Sequence, residues 1–137
     1  MSNRIAREGS KISSMPPRKG GLARIWHALF YSLAGIRSCY RSEAAFRQEV
    51  WLTAILVPLA LMLPLSPFFK AFLIGSMLLV LVVELLNSAV EVIVDKMAPE
   101  FETFAKQAKD MGSAAVFFAL AHLFVAWTGA IITIFWR

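Results

Sequence analysis

Glu84, Asn87, Ser88, Glu91 and Asp95 follow one another at i, i+3, i+4, i+7 and i+11, along an otherwise apolar stretch of the chain and just past its end. On a helix this spacing gathers them into one stripe. Three carboxylates, an amide and a hydroxyl form a set of hard oxygen donors, the kind that suits Mg²⁺. The setting makes the set informative. Burying a carboxylate at the centre of a bilayer costs roughly 2.5–3.5 kcal/mol on insertion scales, so a membrane helix keeps one for a reason.

Three reasons compete. The carboxylates could pair with basic residues such as Arg47 as packing glue between helices, or line a path for protons or ions. They could also form a metal-assisted active site. A path needs further polar groups inside the membrane, and the last apolar stretch offers only His122 and a few hydroxyls. The active site is therefore preferred.

Two further clusters strengthen it. Ser42-Glu43-Ala44-Ala45-Phe46-Arg47-Gln48-Glu49 precedes the first apolar stretch. There Ser42 is the expected helix N-cap, and Glu43 and Arg47 are i, i+4 neighbours. Taken alone, this segment would be an interfacial helix with solvated charges. Ala108-Lys109-Asp110-Met111-Gly112-Ser113 leads into the last stretch. Taken alone, it would mark a membrane boundary, with small residues that allow close helix packing. Together the clusters supply what phosphoryl transfer requires: ligands for a divalent ion, a cation for phosphate, and a base for an acceptor hydroxyl. The chain has neither a G-x-x-x-x-G-K-[ST] loop nor the protein-kinase signature set. A nucleotide site would have to be of another type.

The elements that position these groups follow from hydropathy. The 137 residues are 58% hydrophobic and 17% charged, too apolar for one soluble core of that size. The mean hydropathy of +0.65 points the same way, to a bilayer. The net charge is +5, and nine of the 14 basic residues fall in the first 47 positions: Arg4, Arg7, Lys11, Arg18, Lys19, Arg24, Arg37, Arg41 and Arg47. Beside a hydrophobic segment such an arm suits an anionic membrane surface rather than nucleic acid, and it places the N-terminus in the cytoplasm. Cys39 is the sole cysteine, which excludes an intrachain disulfide. The first segment lacks the apolar stretch of a signal peptide, so an uncleaved first span is expected to direct insertion.

Residues 1–21 are expected to be a disordered basic cytoplasmic tail. Leu22, Ile25, Trp26, Leu29, Phe30, Leu33 and Ile36 then recur at helical steps, predicting an amphipathic interfacial helix over about 22–40. Spans are expected over about 45–65, 70–95 and 108–136, with a turn at Pro64-Leu65-Ser66-Pro67 and a charged connection from Asp95 to Asp110. Lys70 fits the less basic outer side, and Trp127, Trp136 and Arg137 are interfacial anchors. The predicted fold is all-α: three transmembrane helices plus the N-terminal amphipathic interfacial helix, with the C-terminus outside.

The segments Glu43-Ala-Ala-Phe-Arg-Gln-Glu49, Val83-Glu-Leu-Leu-Asn-Ser-Ala-Val-Glu91 with Asp95, and Ala108-Lys-Asp-Met-Gly-Ser-Ala-Ala115 closely resemble the prokaryotic diacylglycerol kinase family. The resemblance runs from about Ala23 to the C-terminus. It implies a homotrimer with active sites shared between subunits in the bacterial inner membrane. The implied reaction takes diacylglycerol and ATP, with Mg²⁺, to phosphatidate and ADP at the cytoplasmic face, in lipid recycling. By position, Glu84 resembles the catalytic base, and Glu43 and Glu91 the metal-binding carboxylates. Arg24, Tyr31, Glu43, Glu91, Glu100, Lys109 and Asp110 match nucleotide-contacting positions. Arg47, Gln48, Asn87 and Ser113 are expected to position the substrate. The tail before Gly21 is longer than the family core, and Phe101-Glu102 stand where relatives often have a tyrosine–histidine pair. His27 and His122 are read as structural. An undecaprenol kinase of the same superfamily is the nearest alternative. A non-enzymatic ion-conducting or assembly subunit is the alternative from another class, and it would have no need of Lys109.

Overall fold

The structure is a computed structural model that describes residues 21–97 and 102–136. The tail expected over 1–21, apart from Gly21, lies outside the described residues, as do Glu100 and Arg137. Four helices make up the described chain: α1 (Gly21–Ser42), α2 (Ala44–Met62), α3 (Pro67–Met97) and α4 (Glu102–Phe135). Three of them, α2, α3 and most of α4, are long and apolar enough to cross a membrane.

The chain divides into two units, one ending at Ala34 and the other beginning at Gly35. In the first, Ile25, Trp26, Leu29, Phe30, Leu33 and Tyr31 are all exposed, with Trp26 and Phe30 in edge contact at 5.2 Å between ring centroids. The second unit holds the rest of α1 and the other three helices.

A single residue separates α1 from α2. Glu43 has extended backbone angles, φ −100° and ψ 121°, and is the N-cap of α2, although its side chain makes no capping bond. The N-cap expected at Ser42 is corrected. Ser42 Oγ instead donates back to the carbonyls of Ser38 and Cys39, as helical serines do. The expected Glu43–Arg47 pairing is also absent among the described ion pairs. Arg47 Nη1 donates to the carbonyls of Tyr40 (3.1 Å) and Arg41 (3.2 Å), placing a cation on the open carbonyls at the end of α1.

Within α2, Pro58 removes one donor to Ala54, yet the helix runs on to Met62. The reversal at Leu63–Ser66 is fastened from both sides. Ser66 Oγ accepts from the Phe69 amide at 3.3 Å, and Pro67 opens α3 with its φ already set for a helix. Lys70 Nζ donates to the Leu61 carbonyl at 2.7 Å and so closes the end of α2.

α3 packs along both α2 and α4. Ala60, Leu73, Ala126 and Ala130 form one buried cluster; Met77, Val80, Ala119 and Leu123 form the next. Their small members bring the backbones close, which is how membrane helices gain dispersion contacts without a hydrophobic driving force. Thirty-one residues of α3 extend about 47 Å at 1.5 Å per residue, beyond a hydrocarbon core of about 30 Å. Glu91 and Asp95 lie toward the end of α3, and Glu84 is about 10 Å back from Glu91 along the helix axis.

α4 begins at Glu102, earlier than hydropathy indicates, so Lys106, Lys109 and Asp110 are helical instead of lying in a loop. The reason is local. Beyond Pro99 this segment contains no helix breaker, and Lys106 pairs with Asp110 at i, i+4.

Candidate active site

The antiparallel run of α2 and α3 brings the start of α2 beside the second half of α3, with α4 beginning at the same end of the unit. Four carboxylates collect there. Glu84 is buried, at 5% exposure, while Glu43, Glu49 and Glu91 are half-buried. The charges of Glu91 and Glu43 both bear on Glu84, and that of Glu84 bears on Glu49. No described cation forms an ion pair with any of the four; the described ion pairs are Lys106–Asp110 and Lys109–Asp95.

Glu49 escaped the sequence reading, where it merely closed a charged segment. Its Oε2 is buried with no hydrogen-bond partner among the described residues. A step of six residues turns a helix by about 600°, leaving Glu49 roughly 120° around from Glu43, so helical spacing carried no signal that the two belong to one cluster.

The polar residues of the stripe are connected to their neighbours. Asn87 Nδ2 donates to Glu91 Oε1 at 3.1 Å, fixing one carboxylate oxygen. Asn87 Oδ1 is buried and unpartnered among the described residues, and it lies against Gly112 of α4. A Cβ at position 112 would overlap it, so the glycine is what admits the amide between the two helices. Ser88, also buried, accepts a hydrogen bond from Cys39 Sγ at 3.4 Å and ties the end of α1 to α3. Burial pushes the Cys39 thiol up; the Ser88 bond acts against this, and the charges of Glu43, Glu84 and Glu49 add to it. Cys39 therefore stays protonated at neutral pH and serves as a small buried side chain.

Lys109 reaches across from α4 to Asp95 of α3, and the charge of Glu91 bears on it as well. It is the cation of the cluster's outer edge. Asp110, exposed, is held by Lys106 on its own helix. Gln48 and Ser113 are exposed, and among the described residues neither is hydrogen-bonded to the cluster. Arg47 serves the α1–α2 junction. Arg24 and Tyr31 lie exposed in the unit that ends at Ala34. Glu100 is outside the described residues.

Among the described residues no three His, Cys, Asp or Glu side chains converge tightly enough to bind a metal ion by themselves. Mg²⁺ rarely needs such a cage. It keeps several waters and is commonly held by one or two carboxylates together with substrate phosphates. Half-buried carboxylates without paired cations, on two different helices, fit that mode.

Three helices long and apolar enough to cross a membrane, with an acidic cluster where two of them meet, are the features of a small membrane protein. The family model for prokaryotic diacylglycerol kinase matches residues 30–132, and the chain belongs to that family. It is 50% identical to a diacylglycerol kinase of Pseudomonas aeruginosa over 116 residues, 83% of this chain and 94% of that one. Against a diacylglycerol kinase of Haemophilus influenzae the identity is 42% over 109 residues, 80% of this chain and 92% of the relative. A diacylglycerol kinase of Escherichia coli is 41% identical over 107 residues, 78% and 88% of the two chains. Every residue of the carboxylate cluster falls within the matched segment; Arg24 precedes it.

Proposed function

We propose that this protein transfers the γ-phosphate of ATP to the primary hydroxyl of diacylglycerol, giving phosphatidate and ADP. The observation that carries the reading is the buried Glu84 set among Glu43, Glu49 and Glu91, with Lys109 at the outer edge of the same cluster. The names of the relatives support the choice of lipid.

The depth of each group along α3 separates their roles. Glu84, the deeper one, meets a hydroxyl that stays in the membrane and accepts its proton. The hydroxyl oxygen forms the new bond to the γ-phosphorus, the bond from that phosphorus to the β–γ bridging oxygen breaks, and ADP leaves with the electron pair. Glu91 and Glu43 would hold Mg²⁺ against the nucleotide phosphates. When bound, Mg²⁺ supplies charge neutralisation at the transferring group. Asn87 fixes Glu91 through its 3.1 Å hydrogen bond. Lys109 places a point charge on the phosphates. Asp110 adds a further nucleotide contact, and Arg24, Tyr31 and Glu100 are assigned to the nucleotide only by their positions in the sequence. Arg47 holds the junction that carries Glu43, and Gln48 and Ser113 line the approach of the lipid.

The surrounding arrangement is part of the same reading. The apolar residues of the first half of α1 lie in the interface of the inner membrane and leave a lateral entry for lipid. The N-terminus is cytoplasmic, the C-terminus periplasmic, and three copies associate so that each site draws on neighbouring subunits.

Purified protein in lipid micelles, given ATP labelled at the γ-phosphate, Mg²⁺, and diacylglycerol and undecaprenol together, is expected to place the label in phosphatidate. Label mainly in undecaprenyl phosphate would assign the acceptor to the polyprenol. No labelled lipid would overturn the kinase reading.

A further inference from the structure

Asp95 is the member of the α3 stripe that the proposed chemistry leaves without a task. It lies one helical turn beyond Glu91, and its ion pair with Lys109 joins α3 to α4 near the mouth of the cluster. We propose that Asp95 is a resident anion that holds Lys109 in the nucleotide-free protein and yields it to phosphate when nucleotide binds. This rests on the reading above in which Lys109 contacts phosphate.

Three observations carry it. First, the pair is open to water: the side chains of Lys109 and Asp95 are 40% and 63% exposed. Ion pairs in such positions are weak, so a polyphosphate can displace the carboxylate. Second, the acid next to Lys109 in sequence is already occupied, because Asp110 pairs with Lys106 one turn back on its own helix. Asp95 is thus the described carboxylate paired with Lys109. Third, the charge of Glu91 also bears on Lys109. Lys109 released from Asp95 therefore stays beside the carboxylate proposed to hold the metal ion, where the phosphates of the nucleotide would lie. A lysine suits the transfer, since its flexible four-carbon stem can swing a compact charge from one oxygen set to another while the helices stay in place.

The test is a binding cycle on the full-length protein in lipid micelles, with the Mg²⁺ complex of adenylyl imidodiphosphate as probe. Asp95→Asn is expected to tighten binding about two- to fivefold, the range released by an exposed ion pair. Asp95→Glu is expected to restore the original affinity. Lys109→Met is expected to weaken binding, and Asp95→Asn added to Lys109→Met to give no gain. An equal gain in both backgrounds would show that Asp95 acts through the general field alone, which overturns the proposal. So would unchanged or weaker binding by Asp95→Asn while Lys109→Met binds poorly. Unchanged binding by Lys109→Met would instead remove the phosphate contact of Lys109 on which the proposal rests.

Discussion

Replacing Glu84 by Gln is expected to slow lipid phosphorylation by about 10²–10⁴-fold, the usual contribution of a general base, while the protein stays folded and binds nucleotide. The amide is nearly isosteric with the carboxylate, so the buried position keeps its volume. It cannot accept a proton from the acceptor hydroxyl. Loss of the charge should not weaken the fold, because Glu84 has no ion-pair partner among the described residues and lies near Glu43, Glu49 and Glu91. Thermal unfolding at or above the wild-type temperature, normal affinity for a non-hydrolysable Mg-nucleotide and a collapsed turnover number form the expected pattern. Turnover within tenfold of wild type would remove Glu84 as the base.

Gly112→Ala is expected to lower both activity and stability. The added Cβ overlaps Asn87 Oδ1, and the amide can relieve the clash only by turning away. Turning breaks its bond to Glu91 Oε1. Hydrogen bonds to charged groups contribute about 1.5–3 kcal/mol, so turnover should fall by roughly 10- to 150-fold. Helix propensity works in the opposite direction, since alanine is favoured over glycine by about 1 kcal/mol in a helix interior. The lost bond outweighs that gain, so the variant should be less stable than wild type by about 0.5–2 kcal/mol while phosphorylating lipid slowly and requiring more Mg²⁺. Gly112→Ala with unchanged turnover would mean that the Asn87–Glu91 contact has no part in the chemistry.

Much of this was legible in the sequence, for identifiable reasons. Apolar runs between charged residues marked three long helices, because a bilayer imposes length and composition together. The stripe of Glu84, Asn87, Ser88 and Glu91 followed from helical spacing alone. Other features depended on register between helices, which spacing does not encode. Glu49 meets Glu84 only because the Leu63–Ser66 reversal sets α2 against α3 at one particular offset. Gly112 read as a packing residue, and its fit to the Asn87 amide needed both helices in place. Arg47 was expected to face an acid four residues away and instead caps α1, since the one-residue break at Glu43 points open carbonyls at it. Hydropathy located the apolar part of α4 but not its charged first turns, which helix-compatible residues and the Lys106–Asp110 pair extend to Glu102.

The most direct measurement is a structure of the protein with diacylglycerol and a non-hydrolysable Mg-ATP analogue bound together. The γ-phosphate should lie between Lys109 and the carboxylates of Glu43 and Glu91, with the lipid hydroxyl about 3 Å from Glu84. Nucleotide bound away from this end of α3, or a lipid hydroxyl out of reach of Glu84, would contradict the placement of phosphoryl transfer at the carboxylate cluster.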